Sequence, residues 1–260
     1  MSGEPEVLYS VTGHVATLTI NRPERRNAIT EGVIAGIGEG IGRAAEDADI
    51  RVVVLTGAGD RAFCAGADLA GGTARFGLDP NRSSHPFADL LRAAHACPLP
   101  LVARVNGACM AGGMGLLAMC DMAVAADHAS FSLPEVKVGV FPMQVLAALM
   151  PLVPPRDLAE LCFTGEPVDA EAAARMRLVN HVVPAAELDA KTQWLVGRII
   201  DKSPAAIRRG RHAMNAVRDM NFEQALSFLE GQIALVAQTE DAREGIAAFN
   251  EKRRPQWTGR

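Results

Sequence analysis

Apolar residues recur along this chain with two different periods. The runs 14–20 (HVATLTI), 51–56 (RVVVLT), 101–105 (LVARV) and 121–126 (DMAVAA) are β-branched or alternating and are bounded by Gly, Asp or Pro, which predicts strands of a mixed core. Between them the apolar positions return every three to four residues. Val33, Ile34, Ile37 and Ile41 share one face behind Thr30, a side chain suited to cap a helix, and 86–96 repeats the pattern. Strands and helices therefore alternate through the first two thirds, an α/β arrangement in which a loosely coiled, solenoid-like core is conceivable.

From about residue 200 the pattern is wholly helical. Ser203-Pro204 reads as cap and first turn, Asn221 with Gln224 as a capping-box-like start, and Thr239 with Glu240 and Asp241 as the start of a third helix. The expected organisation is a core over 1–198 and a helical region over 199–260. Phe222, Leu226, Phe228, Leu229, Ile233 and Val236 are more apolar surface than one isolated helix can hide. They must pack on the core or on another subunit, and an oligomer is expected.

Composition narrows the class. A chain of 260 residues, 49% hydrophobic and 22% charged, is long enough to bury a large core without staples. Its five cysteines, Cys64, Cys97, Cys109, Cys120 and Cys162, are odd in number and form no C-x-x-C pair, which points to a reducing compartment and away from zinc. The start MSGEPEVLYS has no basic and apolar leader pattern, and no long uncharged apolar stretch follows, so a cytoplasmic protein with no membrane partner is expected. A formal net charge of −4 argues against a nucleic-acid partner. Local basic clusters at Arg22, Arg25 and Arg26 and at Lys252, Arg253 and Arg254 remain suited to a phosphorylated ligand.

Three glycine-rich segments carry candidate chemistry. Gly57 to Ala62 satisfies the G-x-G-x-x-G/A dinucleotide pattern after a strand, but Phe63, Cys64, Ala65, Gly66 and Ala67 do not open a periodic helix, and a nicotinamide site is disfavoured. No G-K-[ST] follows any glycine run. The segments Phe63-Cys64-Ala65-Gly66-Ala67-Asp68-Leu69 and Asn106-Gly107 through Ala111-Gly112-Gly113 to Gly115 are different, because each places small residues after an expected strand, where backbone N–H groups can approach a ligand. The histidines His85, His95, His128 and His181 form neither a metal motif nor a triad-like element.

Asn21-Arg22-Pro23 with Asn27-Ala28, the Phe63 to Leu69 segment, Asn106-Gly107 with Ala111-Gly112-Gly113, Cys120-Asp121, and Phe131-Ser132-Leu133-Pro134-Glu135 resemble the enoyl-CoA hydratase/isomerase (crotonase) family in order and spacing. The tail from Glu244 through Phe249 to Lys252 resembles the family's last helix, so the likeness spans nearly the whole chain. The resemblance implies a superhelix of ββα units with a C-terminal helical trimerisation region, assembled as a homotrimer or dimer of trimers. It implies an acyl-CoA thioester as substrate, with coenzyme A part of that substrate and no separate cofactor or metal. Ala67 and Gly112 match the two positions whose backbone N–H groups form the oxyanion hole. One such donor is typically worth about 3 kcal/mol of transition-state stabilisation. Arg25, Arg26, Ala65, Phe249 and Lys252 match positions that approach the CoA moiety.

The acid/base is where the chain departs from the hydratase pattern of two glutamates. Glu135 matches one; the other position is Gly115. A lone carboxylate can move a proton between C2 and C4 of an enoyl thioester, so double-bond isomerisation is favoured. Met143-Gln144-Val145-Leu146 also replaces the glycine-rich run usual after the position of Pro142. The alternative is hydration with a substitute acid from 68–90, such as Asp68, Asp79 or Asp89; an alternative of another class is a catalytically weak acyl-CoA-binding oligomer. Asp68 reads rather as a structural cap. Met110, Met114, Met119 and Met143 suit either an acyl tunnel or plain core filling.

Overall fold

Strands alternate between two sheets as the chain advances. The computed structural model describes residues 4–68, 72, 77 and 79–260. Strands β1 (Val7–Thr12) and β2 (Val15–Ile20) form an antiparallel hairpin, and helix α1 (Glu31–Glu46) follows, with the Thr30 hydroxyl accepting the Val33 N–H at 3.0 Å. Then β3 (Val52–Gly57) joins the first sheet, β4 (Ala62–Cys64) the second, and α2 (Pro86–Ala96) closes the turn. The unit repeats as β5 (Leu101–Val105), β6 (Ala108–Met110) and α3 (Gly112–Ala118), and again as β7 (Met122–Ala126) and β8 (Ser130–Ser132). Among the described residues the first sheet runs β1-β2-β3-β5-β7-β10 and the second β4-β6-β8-β9, with β9 at Val168–Asp169 and β10 at His181–Val183. Each successive unit lays its strands parallel to those of the previous one, β2 to β3 to β5 to β7 and β4 to β6 to β8.

The central strands read as nearly unbroken apolar runs because both faces of their sheet are covered. All six residues of β3 are buried. Val53 and Leu55 point into the main core with α1 and α2, while Val52 and Val54 face Leu188, Leu195 and Val196 of α7 (Leu188–Ile200). Helices α4 (Met143–Leu149), α5 (Pro155–Thr164) and α6 (Ala170–Arg175) complete the middle of the chain.

Beyond α7, the chain forms α8 (Pro204–Ala216), α9 (Phe222–Ala237) and α10 (Glu240–Asn250). The caps fall on the expected residues: Ser203 and Thr239 accept N–H groups of the first turn, and Asn221 with Gln224 forms a complete capping box. Arg211 ties α8 to the core. Its buried guanidinium meets Asp121 at 2.8 Å and donates to the carbonyls of Ala94, His95 and Cys97 at the end of α2. Helix α9 contributes no buried residue; Phe222 is 75% and Ile233 66% exposed. Among the described residues no helix is long and apolar enough to cross a membrane.

Candidate active site

Two buried polar side chains shape the site. Asn27, held in left-handed backbone (φ 56°), donates to the carbonyls of Ala58 and Ala62 at 3.0 and 2.7 Å. Asn106 donates to those of Gly59 and Ala62 and accepts the Gly57 N–H at 3.2 Å. Together they pin the loop between β3 and β4, which enters a strand rather than a helix. The dinucleotide-like glycines thus form a strand-to-strand turn, and Gly57 is needed because a Cβ there would lie 2.5 Å from the Ala62 carbonyl and the Asn27 amide.

The turns after β4 and β6 meet each other. Gly66 has φ +90°, and a Cβ on it would stand 2.7 Å from the Ala111 Cβ and 3.4 Å from the Gly112 nitrogen. A Cβ on Gly112 would in turn lie 3.9 Å from the Ala67 nitrogen, so the two backbones are neighbours. Ala111 is held at φ 50°, ψ −122°, a strained conformation for a residue with a side chain, fixed by its N–H donating to the Ser132 carbonyl at 3.0 Å. Gly113 lets α3 seat on β4, since a Cβ there would fall 2.4 Å from the Cys64 carbonyl.

Ala67 and Gly112 open onto a cavity of about 810 Å³ that Ala65, Ile29, Pro134, Glu135, Phe141, Phe87 and Val145 also line. Glu135 sits in a short 3-10 turn, Pro134–Val138. Its Oε2 is buried and, among the described residues, is the one buried side-chain oxygen or nitrogen without a hydrogen-bond partner. Burial pushes its carboxyl above the usual carboxylate range, against a smaller opposing contribution from its own backbone N–H. An orphaned carboxylate oxygen in a cavity is costly as structure and available as chemistry.

The place opposite is filled. A Cβ on Gly115 would meet Phe87 at 3.0 Å and Val145 at 3.3 Å, and both side chains are nearly fully buried. Among the described residues, the three atoms nearest that Cβ belong to Phe87 and Val145 and none to an acid. Asp68 is paired with Arg22 at 3.1 Å and Arg25 at 3.2 Å; residues 69–71, which a cap at this position would serve, lie outside the described residues. Asp89 is exposed and bonded to Ser84 and Arg92, away from the cavity lining. Asp79 and Glu31 do line the cavity. Of the 68–90 stretch, 69–71, 73–76 and 78 lie outside the described residues.

The remaining candidates divide. Ala65 lines the cavity, with its N–H donating to the Arg26 carbonyl at 3.0 Å; the Arg25 and Arg26 side chains lie on the exterior beside it. Phe249, 83% exposed on α10, and Lys252 just beyond are outside the lining residues of this cavity. Of the four methionines only Met143 lines it; Met114 and Met119 are core, and Met110 accepts the Ser132 hydroxyl. The cysteines are buried free thiols, and burial pushes Cys64 up to about 12, which makes it a packing residue rather than a nucleophile. Among the described residues no group of His, Cys, Asp and Glu is arranged to hold a metal ion.

The family model for enoyl-CoA hydratase/isomerase matches residues 11–260. The chain belongs to that family. It is 32% identical to crotonyl-CoA hydratase of Syntrophomonas wolfei subsp. wolfei over 92% of this chain and 93% of that one. Carnitinyl-CoA dehydratase of Escherichia coli O157:H7 is 34% identical over 95% and 96% of the two chains. Among solved structures, an enoyl-CoA hydratase of Mycobacterium smegmatis superposes with a TM-score of 0.90 at 36% identity, covering 98% of this chain and 99% of that one. The alternating two-sheet spiral is therefore the crotonase fold, and the protein is an acyl-CoA enzyme of the hydratase/isomerase type. Sequence reasoning missed Phe87 and named Val145 and His85 without placing their side chains in the cavity. Each is an ordinary residue in sequence, and only the packing of α2 and α4 beside α3 brings it there.

Proposed function

We propose that this enzyme shifts the double bond of an enoyl-CoA thioester through an enolate, with Glu135 as the single proton carrier. The reading is carried by one observation: Glu135, whose buried Oε2 has no hydrogen-bond partner, lines the same cavity as Ala67 and Gly112. In the proposed cycle, the thioester oxygen accepts those two N–H groups as an oxyanion hole. The Glu135 carboxylate removes a proton from C2 of a 3-enoyl thioester, and the electron pair moves onto the oxygen. The carboxylic acid then returns the proton to C4 as the double bond closes between C2 and C3. A carboxyl raised by burial suits both halves, because its acid and base forms are closer in energy at neutral pH. Coenzyme A enters as part of the substrate, near Ala65 with Arg25 and Arg26 at the rim, and the scheme uses no cofactor. The uncovered apolar face of α9 supports assembly as a homotrimer or dimer of trimers, in which Phe249 and Lys252 would reach a neighbour's CoA.

A second reading, water addition, is favoured by the names of the relatives above and by Asp79 and Glu31 on the cavity wall. The two separate when 2-enoyl-CoA and 3-enoyl-CoA are incubated with enzyme in deuterated water beside Glu135→Gln. A moved double bond with deuterium incorporation and no added water, lost in the Gln variant, is the expected result. A 3-hydroxyacyl product as the main species overturns it in favour of hydration. Tight binding of both esters with neither product nor exchange leaves an acyl-CoA-binding protein instead.

A further inference from the structure

Helix α3 carries Gly112 at its start and Gly115 one turn later, and residues three apart share a helix face. What stands over Gly115 therefore stands beside the thioester position. An ideal Cβ on Gly115 would be 3.0 Å from Phe87 Cζ, 3.2 Å from its Cε1 and 3.3 Å from Val145 Cγ2. A methyl group would need these neighbours to give by a few tenths of an ångström; the rest of a longer side chain would run into the ring. Phe87 is not free to leave. Pro86 opens α2, and the Phe87 N–H donates to His85 Nδ1 at 3.3 Å, so the backbone beneath the ring is fixed. Phe87 and Val145 are 7% and 4% exposed and both line the cavity.

We propose that Phe87, seated on the bare backbone of Gly115 and backed by Val145, is the specificity-determining residue that keeps water from the enoyl carbons. The inference rests on the enolate reading above. An ordered water needs two to four polar partners, and an aromatic ring against a valine offers none. Water addition must form an O–C3 bond, place a proton on C2 and take one proton from the attacking water. Proton return to C4 needs only the proton that Glu135 already holds. With the ring in place, the second course is complete with Glu135 alone.

The experiment measures product partition by mass, 3-hydroxyacyl-CoA against isomerised enoyl-CoA, for wild type, Phe87→Leu, Phe87→Ala, Gly115→Glu and the Phe87→Ala/Gly115→Glu double variant, with folding monitored by thermal unfolding. The expected hydrated fraction rises at least tenfold in Phe87→Ala and further in the double variant. It stays at the wild-type level in Phe87→Leu, which keeps an apolar filling. Gly115→Glu alone lowers the unfolding temperature, and the double variant recovers it. An unchanged partition in folded Phe87→Ala and double variants overturns the proposal, as does a wild type that hydrates as fast as it isomerises. Glu135→Gln in the same series tests the proton shuttle separately: exchange that persists there removes the shuttle, while the effect of the ring on water addition is still read from product mass.

Discussion

A carboxylate oxygen buried without a partner costs free energy at every pH where it is charged, and Glu135 carries that cost in the cavity. Its folded-state pKa is raised, so its favourable contribution to stability is fully present below the ordinary carboxyl pKa and is lost as pH rises through the higher folded value. Glu135→Gln should therefore raise the unfolding temperature at pH 8 and leave it nearly unchanged at pH 4. The same variant should lower the exchange rate by roughly 10²- to 10⁴-fold, the usual range for one acid/base group. The wild-type rate should fall as pH drops through the raised pKa, an acid limb above the normal carboxylate range; a pH profile of deuterium exchange reads it. Asn106 is the counterpart at the same scale, a buried side chain whose function is to satisfy backbone. Asn106→Ala leaves the Gly59 carbonyl and the Gly57 N–H without it and should cost about 2–3 kcal/mol in urea denaturation. Glu135, Ala67 and Gly112 could be named together from sequence because they fall in ordered motifs, and all three line one cavity. The duty of Asn27 and Asn106 was not legible there, since hydrogen bonds across 31 to 49 positions leave no local pattern.

At the scale of elements, sequence pattern succeeded where a period could be counted. The expected runs correspond to β2, β3, β5 and β7, and the capping residues to Thr30, Ser203, Asn221 and Thr239. It failed at β4, β6 and β8, three residues each, which are too short to display alternation and are strands only because successive turns of the spiral place them side by side. These short strands matter most for the site, as the turns after β4 and β6 carry Ala67 and Gly112. The helical region joins the core through a charged contact that no periodicity foretells. Arg211 is buried between Asp121 and the carbonyl end of α2, where a cation also complements the helix dipole. Removing one partner strands the other and frees three carbonyls, so Arg211→Ala should cost about 3–5 kcal/mol in denaturant unfolding. Arg211→Lys should recover only part of it, since an ammonium cannot span the carboxylate and the carbonyls together.

At the scale of the whole molecule, the exposed apolar face of α9 is unexplained by the single chain. Phe222, Leu226, Leu229, Ile233 and Leu235 are exposed along α9, and Ile246 and Phe249 on α10. Scattered apolar residues on a surface need no account, but a row along one helix that buries nothing does. The capping box at Asn221 fixes the start of α9 and a half-buried face with Phe228 against His212 packs it along α8, yet a helix that buries no residue fully gains little from propensity and needs further packing. Another copy of the chain supplies that packing in the assembly proposed here. The expected outcome is a species of at least three chains in sedimentation equilibrium, with an unfolding temperature that rises with protein concentration. Leu226→Lys with Ile233→Lys should shift the species toward monomer and remove the concentration dependence. If Phe249 and Lys252 reach a neighbouring subunit's CoA, the same pair of substitutions should raise KM for the acyl-CoA more than it lowers kcat, because Glu135, Ala67 and Gly112 all lie within one chain. A monomeric wild type at micromolar concentration, with a KM that the double substitution does not move, would remove the assembly from the account of the site.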